Sequence, residues 1–169
     1  TINVFHRPRK FCPAPFSGIV VGGGLATGEA VISASPERFL KVLPSGKIES
    51  RPIKGTRPRN SNPKRDSDLA ADLICSSKDR AENIMIVDLL RNDLGRVCKP
   101  GSIKVTQLVG LESYQQVHHL TSVIQGKLLS GKTWVDLLKA CWPGGSISGA
   151  PKLRACQRLY ELEPIARGP

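Results

Sequence analysis

One long helical pattern, over residues 66–93, divides the chain into two strand-rich stretches, and that order restricts the fold more than any other feature. Leu69, Leu73, Ile84, Val87 and Leu94 fall near i, i+4 positions and so form one helical stripe. Ser76 and Ser77 offer a break, and Gly95 can close the pattern. Ahead of it, residues 29–35 read as a strand. Residues 39–43 and 47–53 flank Pro44-Ser45-Gly46 and read as a β-hairpin. Behind it, residues 102–112 and 114–128 are rich in Val, Ile and Thr and read as paired strands. A short helix capped by Thr133 covers 133–141. A small-residue loop, 143–150, leads into a helix with Pro151 at its first position, ending near Glu163. The order β-β-β-α-β-β-α-α argues for an α+β fold rather than a doubly wound parallel sheet. Residues 1–18, rich in proline, and 57–66, strongly polar, read as irregular. Gly22, Gly23 and Gly24 read as a turn, because no strand–G-x-G-x-x-G–helix context surrounds them.

Composition narrows the class. A chain of 169 residues with 40% apolar content can build one core, so wholesale disorder is not expected. No apolar run reaches the ~18 residues a membrane span needs. The N-terminus lacks the basic-then-apolar order of a secretory signal, and it lacks an initiator Met, so the expected start lies upstream. Five cysteines, far apart and without C-x-x-C, exclude a dense disulfide framework and a usual zinc site; reduced thiols in a cytosol-like compartment are expected. Lys and Arg number 25 against 14 Asp and Glu, a net charge of +11, and most of the excess lies in residues 1–59. Such a charge suits nucleic acid or a small polyanionic substrate. Aromatics are only 5%, which leaves few stacking platforms, and no nucleic-acid motif is present.

Several residues invite chemistry. Lys54 ends a hairpin strand beside Gly55, which lets a ligand approach the backbone. Its amine could act as a nucleophile if desolvation or a nearby cation lowered its pKa; a solvated charge is the plain alternative. Glu37 could be a general acid, or merely the ion-pair partner of Arg38 or Arg51. Asp79 and Glu82 are three apart on one helix face, and two hard oxygen donors suit Mg2+; a solvated charged helix explains them equally. His118 and His119 neighbour each other on a strand, so at most one enters a given site. Where the 143–150 loop meets the next helix, backbone N–H groups can receive an anion; Pro151 has none, so Gly149 and Ala150 are the expected donors.

Together and in order, these segments resemble the chorismate-utilising enzymes. The resemblance rests on Ser35-Pro-Glu-Arg-Phe39, Pro52-Ile-Lys-Gly-Thr56, the run Asp79–Arg96, Val117-His-His-Leu120 and Pro143-Gly-Gly-Ser-Ile-Ser-Gly-Ala-Pro-Lys152, and covers roughly residues 30–165. It implies part of an anthranilate-synthase-like α/β sandwich with antiparallel sheets and outer helices. The Pro-Ile-Lys-Gly-Thr form resembles the aminodeoxychorismate synthase component I branch, whereas the anthranilate branch usually has Ala where Lys54 stands. The resemblance then implies a two-step amination of chorismate to 4-amino-4-deoxychorismate, in para-aminobenzoate and folate biosynthesis. Lys54 attacks ring carbon C2, Glu37 assists departure of the C4 hydroxyl, and ammonia then attacks C4 and expels the lysine. It further implies Glu82 and Asp79 as Mg2+ ligands, His119 as an active-site residue, Gly55 and Thr56 as substrate contacts, and Ser146, Gly149 and Ala150 as a substrate-carboxylate loop. The implied partner is a glutaminase subunit or fused domain supplying ammonia; the implied compartment is the cytoplasm, or the plastid in a plant or alga. Neither nucleic acid nor membrane is an expected partner. The family's domain extends beyond both ends of residues 1–169, so the expectation is a partial catalytic domain, inactive alone. Anthranilate synthase is the second reading and isochorismate or salicylate synthase the third.

Overall fold

A computed structural model describes residues 2–11, 14–22 and 29–165. The chain divides into two compact units, Thr1–Arg38 with Ile165–Pro169, and Phe39–Pro164.

In the first unit the expectation of an irregular start is corrected. Helix α1 (Ile2–Phe11) forms despite an internal Pro8, with Arg9 and Lys10 in its last turn, where cations meet the negative helix end. Strand β1 (Phe16–Val21) is carried by Ile19, Val20 and Val21 although Gly18 interrupts it. It pairs antiparallel with β2 (Ala30–Ser35), Phe16 opposite Ser35 through Val21 opposite Ala30. Gly22 adopts φ 76°, as a turn there needs, while Gly23 and Gly24 of the expected turn lie outside the described residues.

The second unit is built around one strand. Strands β3 (Arg38–Val42) and β4 (Lys47–Arg51) form the expected hairpin, closed by the Leu43 N–H to Lys47 O bond of 2.8 Å. β5 (Ile53–Pro58) continues past Pro52, so the first residues of the expected polar loop are strand. β6 (Lys104–Ser113) and β7 (Val117–Lys127) pair as expected. The sheet order is β3-β4-β7-β5, with β6 on the other edge of β7. β4 and β5 share one edge of β7 in succession: Ser50 lies opposite Ile124, then Ile53 opposite Thr121. Pro52 makes the join, and its carbonyl accepts from Ser122 N–H at 3.1 Å.

Helices α2 (Pro63–Cys75) and α3 (Ser77–Gly95) break at the expected place. Ser76 ends one by donating its N–H to Leu73 O and starts the other by accepting from Asp79 N–H at 3.3 Å. This break resets the helical phase. Leu73, Val87 and Leu94 are buried as expected, but Ile84 is 46% exposed, and Asn83, Ile86 and Leu90 take the inward positions. Ile86, Leu90 and Leu94 pack on Ile48 and Ile124 of the sheet and on Leu137 and Cys141 of α4 (Trp134–Cys141). Each such fully buried side chain contributes about 1.5–3 kcal/mol relative to exposure. A second cluster joins Leu73, Val109 and Leu120. Thr133 caps α4 through a capping box with Asp136.

The expected 143–150 loop contains a short helix, α5 (Gly145–Ser148), before α6 (Lys152–Leu162), for which Pro151 is the N-cap rather than the first helical residue. Gly145 lies close under Leu89: a Cβ there would be 2.7 Å from Leu89 Cδ2, and that side chain would have to shift. Val109 has φ 52°, a strained value for a β-branched residue. A buried chain of bonds holds it. Ser122 Oγ accepts from Val109 N–H at 2.9 Å and donates to Asn83 Oδ1, while Asn83 Nδ2 donates to Leu120 O at 3.0 Å.

Among the described residues no helix is long and apolar enough to cross a membrane. Cys75, Cys98, Cys141 and Cys156 are free. Burial pushes the Cys141 thiol up to about 12 and also raises Cys98, so neither is a ready nucleophile.

Candidate functional site

The five strands and α3 bring part of the expected site together. Between Ile53 and Thr56 the pairing of β5 with β7 shifts register, a β-bulge that spans Lys54 and Gly55. Gly55 has φ 88°, and a Cβ there would lie 2.8 Å from Asp79 Cβ and 2.9 Å from Leu73 Cδ1. The glycine is thus demanded by the helices behind it as well as by any ligand. Lys54 is half-buried on this bulge, and among the described residues its ammonium has no hydrogen-bond or ion-pair partner. Thr56 lies opposite His119, with Thr56 Oγ1 and His119 Nδ1 2.8 Å apart.

His119 is 8% exposed. Burial lowers its pKa, opposed by a hydrogen bond to the Gly55 backbone and by the negative charge of Glu112. Its ring meets that of Tyr114 at 5.8 Å between centroids. Tyr114 Oη donates to Glu112 Oε2 at 2.6 Å, and Arg51 and Gln107 donate to Glu112 Oε1. Burial raises the Glu112 carboxyl, but the bond from Tyr114 and the charge of Arg51 outweigh it and hold the group below the usual range. The sequence reading missed this network and offered Arg51 to Glu37 instead. Only the register of β6 on β7, which sets Glu112 opposite His119, brings it out.

His118 faces the helices. Its Nδ1 lies 2.8 Å from Ser113 Oγ and its Nε2 3.1 Å from Asp66 Oδ1. Arg59 and the Asn60 N–H also bind Asp66, and together they hold its carboxyl well below the usual range. The line braces the first part of α2 against the β6–β7 hairpin. It confirms that the two histidines serve opposite faces.

The two candidate metal ligands have different surroundings. Asp79 accepts from Arg57 Nη2 at 3.3 Å and occupies the first turn of α3, where a carboxylate offsets the helix dipole. Among the described residues Glu82 pairs only with Lys78, 4.0 Å away, and its side chain is 43% exposed. Such a rim pair is worth little. Among the described residues no group of three or more His, Cys, Asp or Glu could hold a metal. Glu82, with Asp79 a turn away, still fits the one or two carboxylates that Mg2+ takes alongside waters and substrate oxygens.

At the anion loop, Gly149 N–H donates to Gly145 O at 2.9 Å, so it is not the open donor the sequence suggested. Gly149 has φ 84°, Ala150 is exposed and Ser146 half-buried. The loop is tied down from below. Lys152 Nζ donates to Asp93 Oδ2 at 2.5 Å and to Cys141 O at 3.0 Å, and Asp93 is 1% exposed. Glu37 belongs to the other unit, half-buried in a turn where its N–H donates to Ser35 Oγ at 3.3 Å.

The family described as chorismate binding enzyme matches residues 1–169. The chain belongs to the chorismate binding enzymes. It is 50% identical over 165 residues to aminodeoxychorismate synthase component 1 of Salmonella typhimurium, covering 98% of this chain and 35% of that protein. It is also 50% identical over 143 residues to anthranilate synthase component 1 of a Synechocystis strain, covering 82% of this chain and 28% of that one. Among solved structures, anthranilate synthase component I of Streptococcus pneumoniae matches with TM-score 0.81 and 38% identity, over 96% of this chain and 34% of that one. The mixed helix and antiparallel-sheet fold is therefore that of the anthranilate synthase group. The chain spans about a third of the length of these curated relatives.

Proposed function

We propose that this chain carries the lysine side of an amination site for chorismate, of the aminodeoxychorismate synthase component I kind. The observation that supports this most is Lys54. It sits on a bulge, without a partner among the described residues, two positions before the Thr56–His119 contact. Among the described residues no carboxylate ties the Lys54 side chain into an ion pair, and once it has given up its proton the free amine can serve as a nucleophile.

The Lys54 amine attacks C2 of chorismate, the double bonds shift, and the C4 hydroxyl leaves as water with a proton from a general acid. Ammonia then attacks C4 and gives up a proton as the bonds shift back, and the Lys54 nitrogen takes up a proton and leaves C2 as the amine. The product is 4-amino-4-deoxychorismate. Glu82, with Asp79 beside it, would hold Mg2+, which neutralises and orients a substrate carboxylate when bound. Thr56, Ser146 and Ala150 would contact substrate. Gly55 and Gly149 would shape the backbone around it. The Salmonella relative's name, component 1, points to a second component; a glutaminase delivering ammonia, in the cytoplasm or a plastid, suits the chemistry.

The anthranilate reading draws on the Synechocystis relative, at the same 50% identity over less of the chain. It predicts direct attack of ammonia at C2. The test uses the full-length protein with chorismate, Mg2+ and ammonium salt. The expected product is 4-amino-4-deoxychorismate, and Lys54→Ala should slow its formation at least tenfold. Fluorescent anthranilate as main product, or an unchanged rate in Lys54→Ala, overturns the proposal.

A further inference from the structure

On the sheet face away from α2 and α3, the side chains of three strands converge on one imidazole. From β5, Thr56 Oγ1 lies 2.8 Å from His119 Nδ1, and the Gly55 backbone bonds the ring. From β6, Glu112 lies directly opposite His119 in the antiparallel register, and directly opposed residues share a face. Just past β6, the Tyr114 ring lies against the His119 ring at 5.8 Å. From β4, Arg51 reaches across to Glu112. Glu112 is held at both oxygens: Arg51 and Gln107 donate to Oε1, and Tyr114 donates to Oε2 at 2.6 Å. Gln107 in turn donates to Thr121 O at 3.1 Å, which fastens the network to β7 itself. His118 and Asp66 lie on the opposite face.

A carboxylate fixed at both oxygens, on a half-buried face, is not a flexible surface charge. We propose that Arg51, Glu112 and Tyr114 are positioning residues for His119: they keep its ring in one orientation against Thr56 and place a fixed negative charge beside it. Arg51 anchors the carboxylate, Glu112 carries the charge, and Tyr114 blocks rotation of the ring. The functional importance of this rests on the proposed amination site and on His119 being the active-site residue that the resemblance implies. The clamp itself stands on the contacts above.

NMR titration of His119 in this chain tests the clamp without substrate. In Glu112→Gln, the imidazolium loses its neighbouring charge, and the His119 pKa should fall by roughly half a unit or more. An unmoved His119 overturns the clamp. Should Glu112→Gln fail to fold, Tyr114→Phe at its half-exposed position replaces it. The ring–ring NOE to His119 should then weaken and the His119 pKa should change; both unaltered would overturn the proposal equally. In the full-length enzyme, Glu112→Gln should displace the acid limb of kcat/KM against pH by the shift seen in NMR. A shifted His119 with an unmoved pH profile would leave the clamp standing and remove His119 from the chemistry, so the two failures are distinguishable.

Discussion

Gly55→Ala is the substitution for which the structure gives the clearest number. The residue has φ 88°, where an L side chain is strained by about 1–2 kcal/mol. The new methyl would also meet Asp79 Cβ at 2.8 Å and Leu73 Cδ1 at 2.9 Å. Neither neighbour can swing away: the Asp79 Cβ is fixed to the first turn of α3, and Leu73 is fully buried. Overpacking of this kind costs about 1–3 kcal/mol. The sum is a loss of about 2–5 kcal/mol, read as a lower urea midpoint followed by circular dichroism at unchanged slope. Gly95→Ala is the matched control. It lies at the end of α3 with nothing within 4 Å, so it should gain up to about 1 kcal/mol. A Gly55→Ala loss below about 1 kcal/mol would refute the claim that the Lys54 bulge is built against the helix pair.

Two other outcomes follow from the contacts. Asp93→Ala leaves Lys152 as a buried cation without its carboxylate, and should cost about 3–5 kcal/mol; the double replacement Asp93→Leu with Lys152→Met should recover most of that in thermal unfolding. The lowered His119 pKa gives a pH dependence of stability. The unfolded chain binds that proton first, so stability is intact above about pH 6.5 and falls as pH drops through that value toward the folded-state pKa. Urea midpoints at two pH values on either side of 6.5 should differ more for the parent than for His119→Asn; equal differences would refute the assignment.

The sequence made the second unit legible because its signals are local and agree. The Pro44–Gly46 turn, the two β-branched runs at 102–112 and 114–128, and the Thr133 cap each determine their own neighbourhood, and the structure keeps all of them. The failures have physical causes. Pro8 and Gly18 argue against regular structure, yet a helix and a strand override them in the N-terminal unit. Ile84 sits on the stripe only if the helix runs unbroken, and Ser76 breaks it. Among the motif positions, Gly55 packs against Asp79 and Thr56 meets His119. Glu112 and Tyr114 were not legible, because their meaning depends on which strand lies opposite, and that is a property of register rather than of spacing. The Gly149 N–H, expected to be open, is committed to Gly145 O, a bond within the loop that spacing does not reveal.

Lys152 holds both ends of the segment after α4. Its ammonium grips the Cys141 carbonyl where that segment departs and the Asp93 carboxylate beneath it, so a single cation closes the stretch into a ring. The perimeter of that ring then becomes a fixed quantity. Exposed side chains within it, such as Ile147, are free to vary outward, whereas removal or addition of one residue between Trp142 and Pro151 must strain one of the two grips. Length, more than residue identity, is what this ring cannot change.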